Sequence, residues 1–286
     1  MIFLRARPRL SSQFGIVAIA IIAAGLWLGL ELWPSSGAAF AAAGGSQSAR
    51  RRTSKPKHAP EKANEPAMPF RVSEILSYRV AWAGFSNAAS LQLSVPERRD
   101  LYGFQTWHFR VVTHTVSPVR RLFALDDQFD SYTDAATLES RQFETHLSEM
   151  GKIDDQVLHF SASGQPPHSP GPVVVVSPGT RDPLGVLYAL RAQNWQHAPD
   201  LRTPVYDGRD LFDMRARCEA LSEPVKVAAG NFSAARIAIH VFQYEKELSS
   251  IRFEIWIAND PARTPVVIEA NLPFGSVRAE LLTMPK

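Results

Sequence analysis

The chain of 286 residues carries 31 Lys+Arg against 28 Asp+Glu, is 45% apolar and 10% aromatic, and holds 21 Pro, 16 Gly and one Cys. This composition excludes a collagen, a wholly disordered chain, a disulfide-stapled mini-protein and a polytopic membrane protein. Nine basic and three acidic side chains of the +3 balance fall in residues 1–69, which leaves the remainder slightly acidic; no nucleic-acid partner is expected, because phosphate binding needs concentrated positive charge.

In chain order, Arg5, Arg7 and Arg9 precede an uncharged stretch, residues 14–30, that lengthens to residues 10–33 with its flanks. A bilayer span needs about 20 apolar residues and a signal-peptide core roughly 7–15, so residues 1–36 read as a signal anchor or a signal peptide. If uncleaved, residues 10–33 hold the protein in the inner membrane with its N-terminus cytoplasmic, as the leading arginines favour. Ala39-Phe40-Ala41 and Ala41-Ala42-Ala43 fit the small-x-small pattern of a cleavage site, which would release the protein into the periplasm. Either way the body is expected on the periplasmic side, and no cysteine directly follows the apolar run to permit lipoprotein processing. Residues 37–69 lack hydrophobic periodicity and read as a disordered, basic, Pro/Ala-rich tether.

From residue 70 to residue 286 the pattern changes to period two, the signature of half-buried strands. Leu76, Tyr78, Val80 and Trp82 alternate with Ser77, Arg79 and Ala81; Trp107, Phe109 and Val111 alternate with His108, Arg110 and Val112. Phe212, Met214, Ala216 and Cys218 repeat it, as do Ile251, Phe253, Ile255 and Ile257. Turn signals at Gly84, Gly103, Gly151, Asp207-Gly208 and Gly230 separate these runs, and Asp207-Gly208 fits a two-residue type I′ hairpin. Val173 to Val176 fits a short edge strand behind a Pro-rich run. The expected architecture is mostly β: about ten or eleven strands in a curved antiparallel sheet or open β-barrel. One covering helix over residues 182–195 is expected, with Asp182 as cap, Pro183 in the first turn and an apolar stripe of Leu184, Leu187, Tyr188 and Arg191.

Chemistry-bearing patterns are scarce. The eight histidines show no zinc-ligand spacing, no Gly-x-Ser-x-Gly elbow occurs, and Cys218 falls on an apolar strand face. Neither a catalytic residue, nor a metal, nor a cofactor is expected. Asp126-Asp127, Asp154-Asp155 and Asp130 provide paired carboxylates of the kind a glycoside hydrolase uses, although acids in turns and at strand ends are usually solvated. The aromatics either fill the core or line an apolar pocket; the candidate ligand-binding residues are Trp82, Trp107, Phe109, Tyr188, Arg191, Trp195 and Trp256. Arg191, on the apolar side of the helix, needs either a buried ion-pair partner or a ligand.

The run from Asp182-Pro183-Leu184 to Leu190-Arg191, then Val205-Tyr206-Asp207-Gly208, Gly230-Asn231-Phe232, Ile255-Trp256-Ile257-Ala258-Asn259-Asp260 and Thr264-Pro265-Val266, resembles the exported bacterial domain of unknown function numbered 3108. The resemblance implies an exported β-rich domain, similar in fold to periplasmic lipoprotein carriers, with no established catalytic residues. The expected function is therefore a non-enzymatic periplasmic domain that binds a lipid or other apolar ligand. The alternative is a structural or protein-interaction module of the envelope, and a carboxylate-dependent hydrolase ranks behind both.

Overall fold

A computed structural model of the chain describes residues 67–162, 169, 173–273 and 275–284. The expected anchor or signal segment and nearly all of the tether lie outside the described residues, among which no helix is long and apolar enough to cross a membrane.

Fourteen strands form one sheet: β1 (Ile75–Trp82), β2 (Phe85–Leu101), β3 (Phe104–Thr115), β4 (Asp126–Asp134), β5 (Ser140–Glu149), β6 (Lys152–Ala162), β7 (Val173–Val176), β8 (Asp200–Tyr206), β9 (Leu211–Val227), β10 (Gly230–Gln243), β11 (Lys246–Glu247), β12 (Arg252–Ala258), β13 (Pro265–Leu272) and β14 (Gly275–Thr283). Two helices interrupt them, α1 (Val119–Leu122) and α2 (Pro183–Ala192). The spatial order is β7-β6-β5-β4-β3-β2-β1-β14-β13-β12-β10-β9-β8, with β11 off the path against β10. Sequence neighbours therefore pair as meanders, and β1 joins β14 to unite the two halves. Among the described strands only β6 and β7 pair in parallel. Val173 to Val176 thus forms the edge strand its composition suggests.

Tight turns hold the register. Ala83-Gly84, Tyr102-Gly103 and Met150-Gly151 each place two consecutive residues at positive φ, the requirement of a type I′ hairpin, and glycine supplies the second at little steric cost. Asp207-Gly208 does not follow this rule. Only Gly208 has positive φ, and Asp207 Oδ1 accepts from the backbone N–H groups of Arg209 (2.7 Å) and Asp210 (2.8 Å). The connection is a four-residue loop organised by an Asx turn, because the aspartate side chain replaces a backbone acceptor.

The sheet curls until its edges β7 and β8 approach. The segment leading into α2 links β5 to β8 there: Ser140 N donates to Thr180 O (3.1 Å), Arg181 N donates to Pro204 O (3.0 Å), and Tyr206 N donates to Arg181 O (2.9 Å). The ring of Phe160 on β6 meets Tyr206 on β8 edge to face at 6.0 Å. The seam is thus closed by one connecting segment and by side chains rather than by a continuous ladder.

α2 lies within this curl. Every residue from Pro183 to Arg191 is buried, so the helix plugs the sheet rather than covering it with one apolar stripe. The cause is in the sequence: Gly185, Val186, Ala189 and Leu190 make the opposite side apolar too, and a helix apolar all round belongs in an interior. Tyr188 stacks on Phe109 of β3 at 3.5 Å with the ring planes 6° apart, and Phe70 abuts Trp107, Phe109 and Tyr188 edge to face at 5.1 to 5.2 Å. Burial of Leu184 and Leu190 contributes roughly 1.5–3 kcal/mol each. At the N-terminus, Asp182 caps Gly185 N (2.8 Å) and also accepts from Ser131 Oγ (2.5 Å) and Ser140 Oγ of the surrounding strands.

Gly185 decides how closely the helix approaches β4 and β5, since a Cβ there would meet Ser140 Oγ and Thr133 Cγ2 at 3.2 Å and Asp182 Oδ2 at 3.3 Å. In an exposed helix Gly→Ala stabilises by about 1 kcal/mol. Here the neighbours are buried, and Ser140 and Asp182 are held by their mutual hydrogen bonds, so Gly185→Ala is expected to destabilise the domain by about 1–3 kcal/mol, read as a lower urea midpoint at unchanged m-value.

Candidate functional site

Five of the seven candidate ligand-binding residues lie in the interior. Trp107, Phe109 and Tyr188 pack against one another around Phe70; Trp195 is buried just beyond α2, its Nε1 donating to Leu190 O (3.0 Å). Arg191 is fully buried. Its Nη1 and Nη2 donate to Glu74 Oε1 (2.6 Å) and Oε2 (3.2 Å), while Nη2 and Nε reach the carbonyls of Ala262 (3.1 Å) and Arg263 (3.3 Å). Burial works against the charge on Arg191, but the hydrogen bond and charge of Glu74 outweigh it and leave the guanidinium pKa raised. Of the two readings of Arg191, the buried ion pair is the one realised.

Trp82 and Trp256 do not join this group. Trp82, partly buried, lies beside the turn at Gly275, whose added Cβ would come within 3.7 Å of its Nε1. Trp256 faces Arg278, whose guanidinium carbon lies 5.8 Å from the ring centroid. The seven residues therefore form no single pocket.

The loop after β12 completes the second clamp on the helix. Arg263 Nη1 donates to Gln193 O (3.0 Å) and Ala192 O (2.5 Å), capping carbonyls that have no partner within α2. Asp260 in turn accepts from Thr264 N (3.1 Å) and Thr264 Oγ1 (2.9 Å). Beside this clamp lies a recess of about 190 Å³ whose walls include Asn194, Trp195, Ile257, Asn259 and Arg263.

A second assembly occupies the outer face of β3 to β6, on positions that alternation assigns to solvent. Cross-strand register aligns His108, Tyr132, Gln142 and His159 in one row, and Arg110, Asp130, Glu144 and Val157 in the next. His146 and Asp155 pair one row further on. Asp130 is 1% exposed: its Oδ1 accepts from His108 Nε2 (2.5 Å) and Arg110 Nε (2.7 Å), and its Oδ2 from Gln128 Nε2 (2.7 Å). Burial would raise its pKa, but these three donors hold it below the usual carboxylate value. Arg99 lies over the Tyr132 ring at 4.5 Å and Tyr102 donates to Gln142 Oε1 (3.2 Å), so the β2–β3 hairpin roofs the row. Under that roof burial, with Glu144 nearby, lifts the Tyr132 hydroxyl to about 12.

The expectation that these acids are solvated fails at Asp127 as well as at Asp130, since each is 1% exposed. Glu144 and His146 share a face through their spacing of two on β5, but no sequence spacing links Asp130 to them, yet the donor atoms of all three lie within 4.8 Å of one another. Only the register of β4 on β5 brings them together. The usable sequence signal is weak: acid, imidazole and phenol recur on the polar positions of three consecutive strands.

Two predictions concern the buried ionisable groups. Glu74→Ala strands the Arg191 charge without solvent, and a loss of about 3–5 kcal/mol is expected in urea unfolding. Asp127 accepts from Ser148 N (2.9 Å) through Oδ1, while Oδ2 has no hydrogen-bond partner; burial lifts its pKa to about 7. The unfolded chain releases this proton near pH 4, so between about pH 4 and pH 7 the folded state holds more protons and stability falls as pH rises. Melting temperatures of Asp127→Asn should therefore decline less from pH 5 to pH 8 than those of the unsubstituted protein.

Comparison with known proteins places this geometry in context. No curated protein matches the chain. Among solved structures, it is similar to a β-barrel-like protein of domain family DUF1849 from Brucella abortus, at 12% identity and TM-score 0.47 over 74% of this chain and 96% of the other. A candidate lipoprotein from Parabacteroides distasonis matches at 12% identity and TM-score 0.36, covering 77% of this chain and 97% of the other. A candidate exported protein with a YmcC-like fold from Bacteroides fragilis matches at 10% identity and TM-score 0.35, covering 77% and 98%. The family model for proteins of unknown function DUF3108 matches residues 77–282, from β1 to the end of β14, and the chain belongs to that family.

Proposed function

We propose that this protein is a non-enzymatic domain on the periplasmic side of the inner membrane that works as a protein-interaction module of the cell envelope. The observation that carries this reading is the plugged interior. An acyl chain would have to replace α2, which is held at its N-terminus through Asp182 and at its C-terminus through Arg191 and Arg263. The side chains that sequence reading assigns to an apolar ligand instead contact one another. Recognition then falls to the outside of the sheet. The periplasmic address rests on the basic, apolar N-terminal segment and on the exported domain that the family resemblance implies.

β7 is the terminal strand of the sheet path and carries Val175 at 68% exposure. An edge strand of this kind accepts an extended segment of another protein through its main chain, with side chains adding specificity. The test is photo-crosslinking in envelopes from the full-length protein with the crosslinker at position 175. A discrete protein adduct is expected there and, with the crosslinker moved to position 173 on the same strand, Val175→Lys should abolish it while moving stability by no more than about 0.5 kcal/mol. Stoichiometric lipid extracted from the purified full-length protein, with no protein adduct at β7, would overturn the reading in favour of an apolar ligand.

A further inference from the structure

We infer that Asp130, Glu144 and His146 on the outer face of β4 and β5 form a binding site for a divalent first-row transition metal of the Zn²⁺ class. Glu144 and His146 stand two residues apart on β5 and so share a face, and Asp130 is the direct cross-strand partner of Glu144. Three donor atoms from these side chains lie within 4.8 Å of one another.

The orientation of the imidazole carries the argument. His146 Nδ1 is 3.0 Å from Asp155 Oδ1, a carboxylate that can only accept, so Nδ1 holds the proton. In the neutral ring Nε2 then presents a lone pair, and it faces Glu144 Oε2 at 3.8 Å, beyond hydrogen-bond reach. Two acceptors aimed at each other repel unless a cation sits between them. A proton shared between them would draw the pair to about 2.7–3.0 Å. Two metal–ligand bonds of about 2.0–2.1 Å, opened to a tetrahedral angle, separate their donors by about 3.4 Å, close to the gap observed. A carboxylate on the far ring nitrogen is also the usual device that fixes the tautomer and raises the basicity of a metal-bound histidine.

The charge balance agrees. Asp130, Glu144 and Asp155 bring three carboxylates together, and Arg110 is committed to Asp130 at 2.7 Å. Asp130 keeps one acceptor site, on Oδ2, after its three hydrogen bonds, since a carboxylate accepts about four. The donor set of one imidazole and carboxylates selects Zn²⁺ over Mg²⁺ or Ca²⁺, which take oxygen ligands alone. His146 is 43% exposed along its side chain, so an ion can enter and water can complete the coordination shell.

The test uses the untagged full-length protein in detergent, stripped with a chelator and titrated with Zn²⁺ by calorimetry. Saturable binding of one ion per chain is expected, with no comparable heat from Mg²⁺. His146→Ala and Glu144→Gln should each weaken it at least about tenfold, and Asp155→Asn, which acts only by positioning the ring, by about 10–100-fold. His240→Ala, which removes an exposed histidine paired with Glu247 alone, should leave it unchanged. Asp130 is left intact because its loss would strand Arg110 and His108. These substitutions fall on partly exposed side chains, and melting curves check that each variant folds. Zn²⁺ binding equally well to His146→Ala and Glu144→Gln, or the absence of saturable binding to the unsubstituted protein, would overturn the assignment.

Discussion

Arg191 keeps its charge in a place without water, and it does so through Glu74 and the carbonyls of Ala262 and Arg263. Those partners come from the segment before β1, 117 residues ahead of Arg191 on α2, and from the loop between β12 and β13, 71 and 72 residues after it. A buried ion pair contributes little net stability over a well-packed apolar substitute, but losing one member is costly. Its effect here is positional: the three segments can be satisfied together in one arrangement only. Phe70 is held on Tyr188, α2 is held along its axis, and the loop is placed so that Arg263 caps the carbonyls at the helix end.

Once the helix is fixed, the roles of the two sheet faces follow. The inner face is filled by aromatic and aliphatic contacts around α2, with Asp182 tying the other helix end to Ser131 and Ser140. On the outer face, longer polar side chains near the β2–β3 hairpin roof a second layer in which His108, Asp130 and Tyr132 are almost as inaccessible as the core. His108, Arg110 and Gln128 all converge on Asp130 in that layer, while the Nδ1 atoms of His108 and His159 are buried without a hydrogen-bond partner. A rigid, plugged scaffold therefore presents its chemistry outward.

Much of this architecture is legible in the sequence. The alternation in β1, β3, β9 and β12, the edge strand at Val173 to Val176, the X-Gly turns and the Asp182-Pro183 helix start all follow from local rules. The role of α2 is legible only if its whole circumference is considered, because the stripe of Leu184, Leu187 and Tyr188 alone suggests a cover. Asp207-Gly208 shows the limit of dipeptide rules, since the aspartate side chain takes up backbone donors and sets a longer loop. The partner of Arg191 and the grouping of Asp130, Glu144 and His146 depend on long-range placement and strand register, which no spacing along one chain encodes. The segment expected to be an anchor or signal peptide falls outside the described residues.

The central claim is that α2 is a fixed part of the interior and not a displaceable lid. Amide hydrogen exchange on the full-length protein tests it directly, because each amide reports the free energy of the opening that exposes it. Residues 186–191 are expected to exchange only with global unfolding, at the same free energy as the Phe109 and Val111 amides of β3, with or without added phospholipid. Exchange of those helix amides at markedly lower free energy than β3, or their selective loss of protection when lipid is added, would contradict the account.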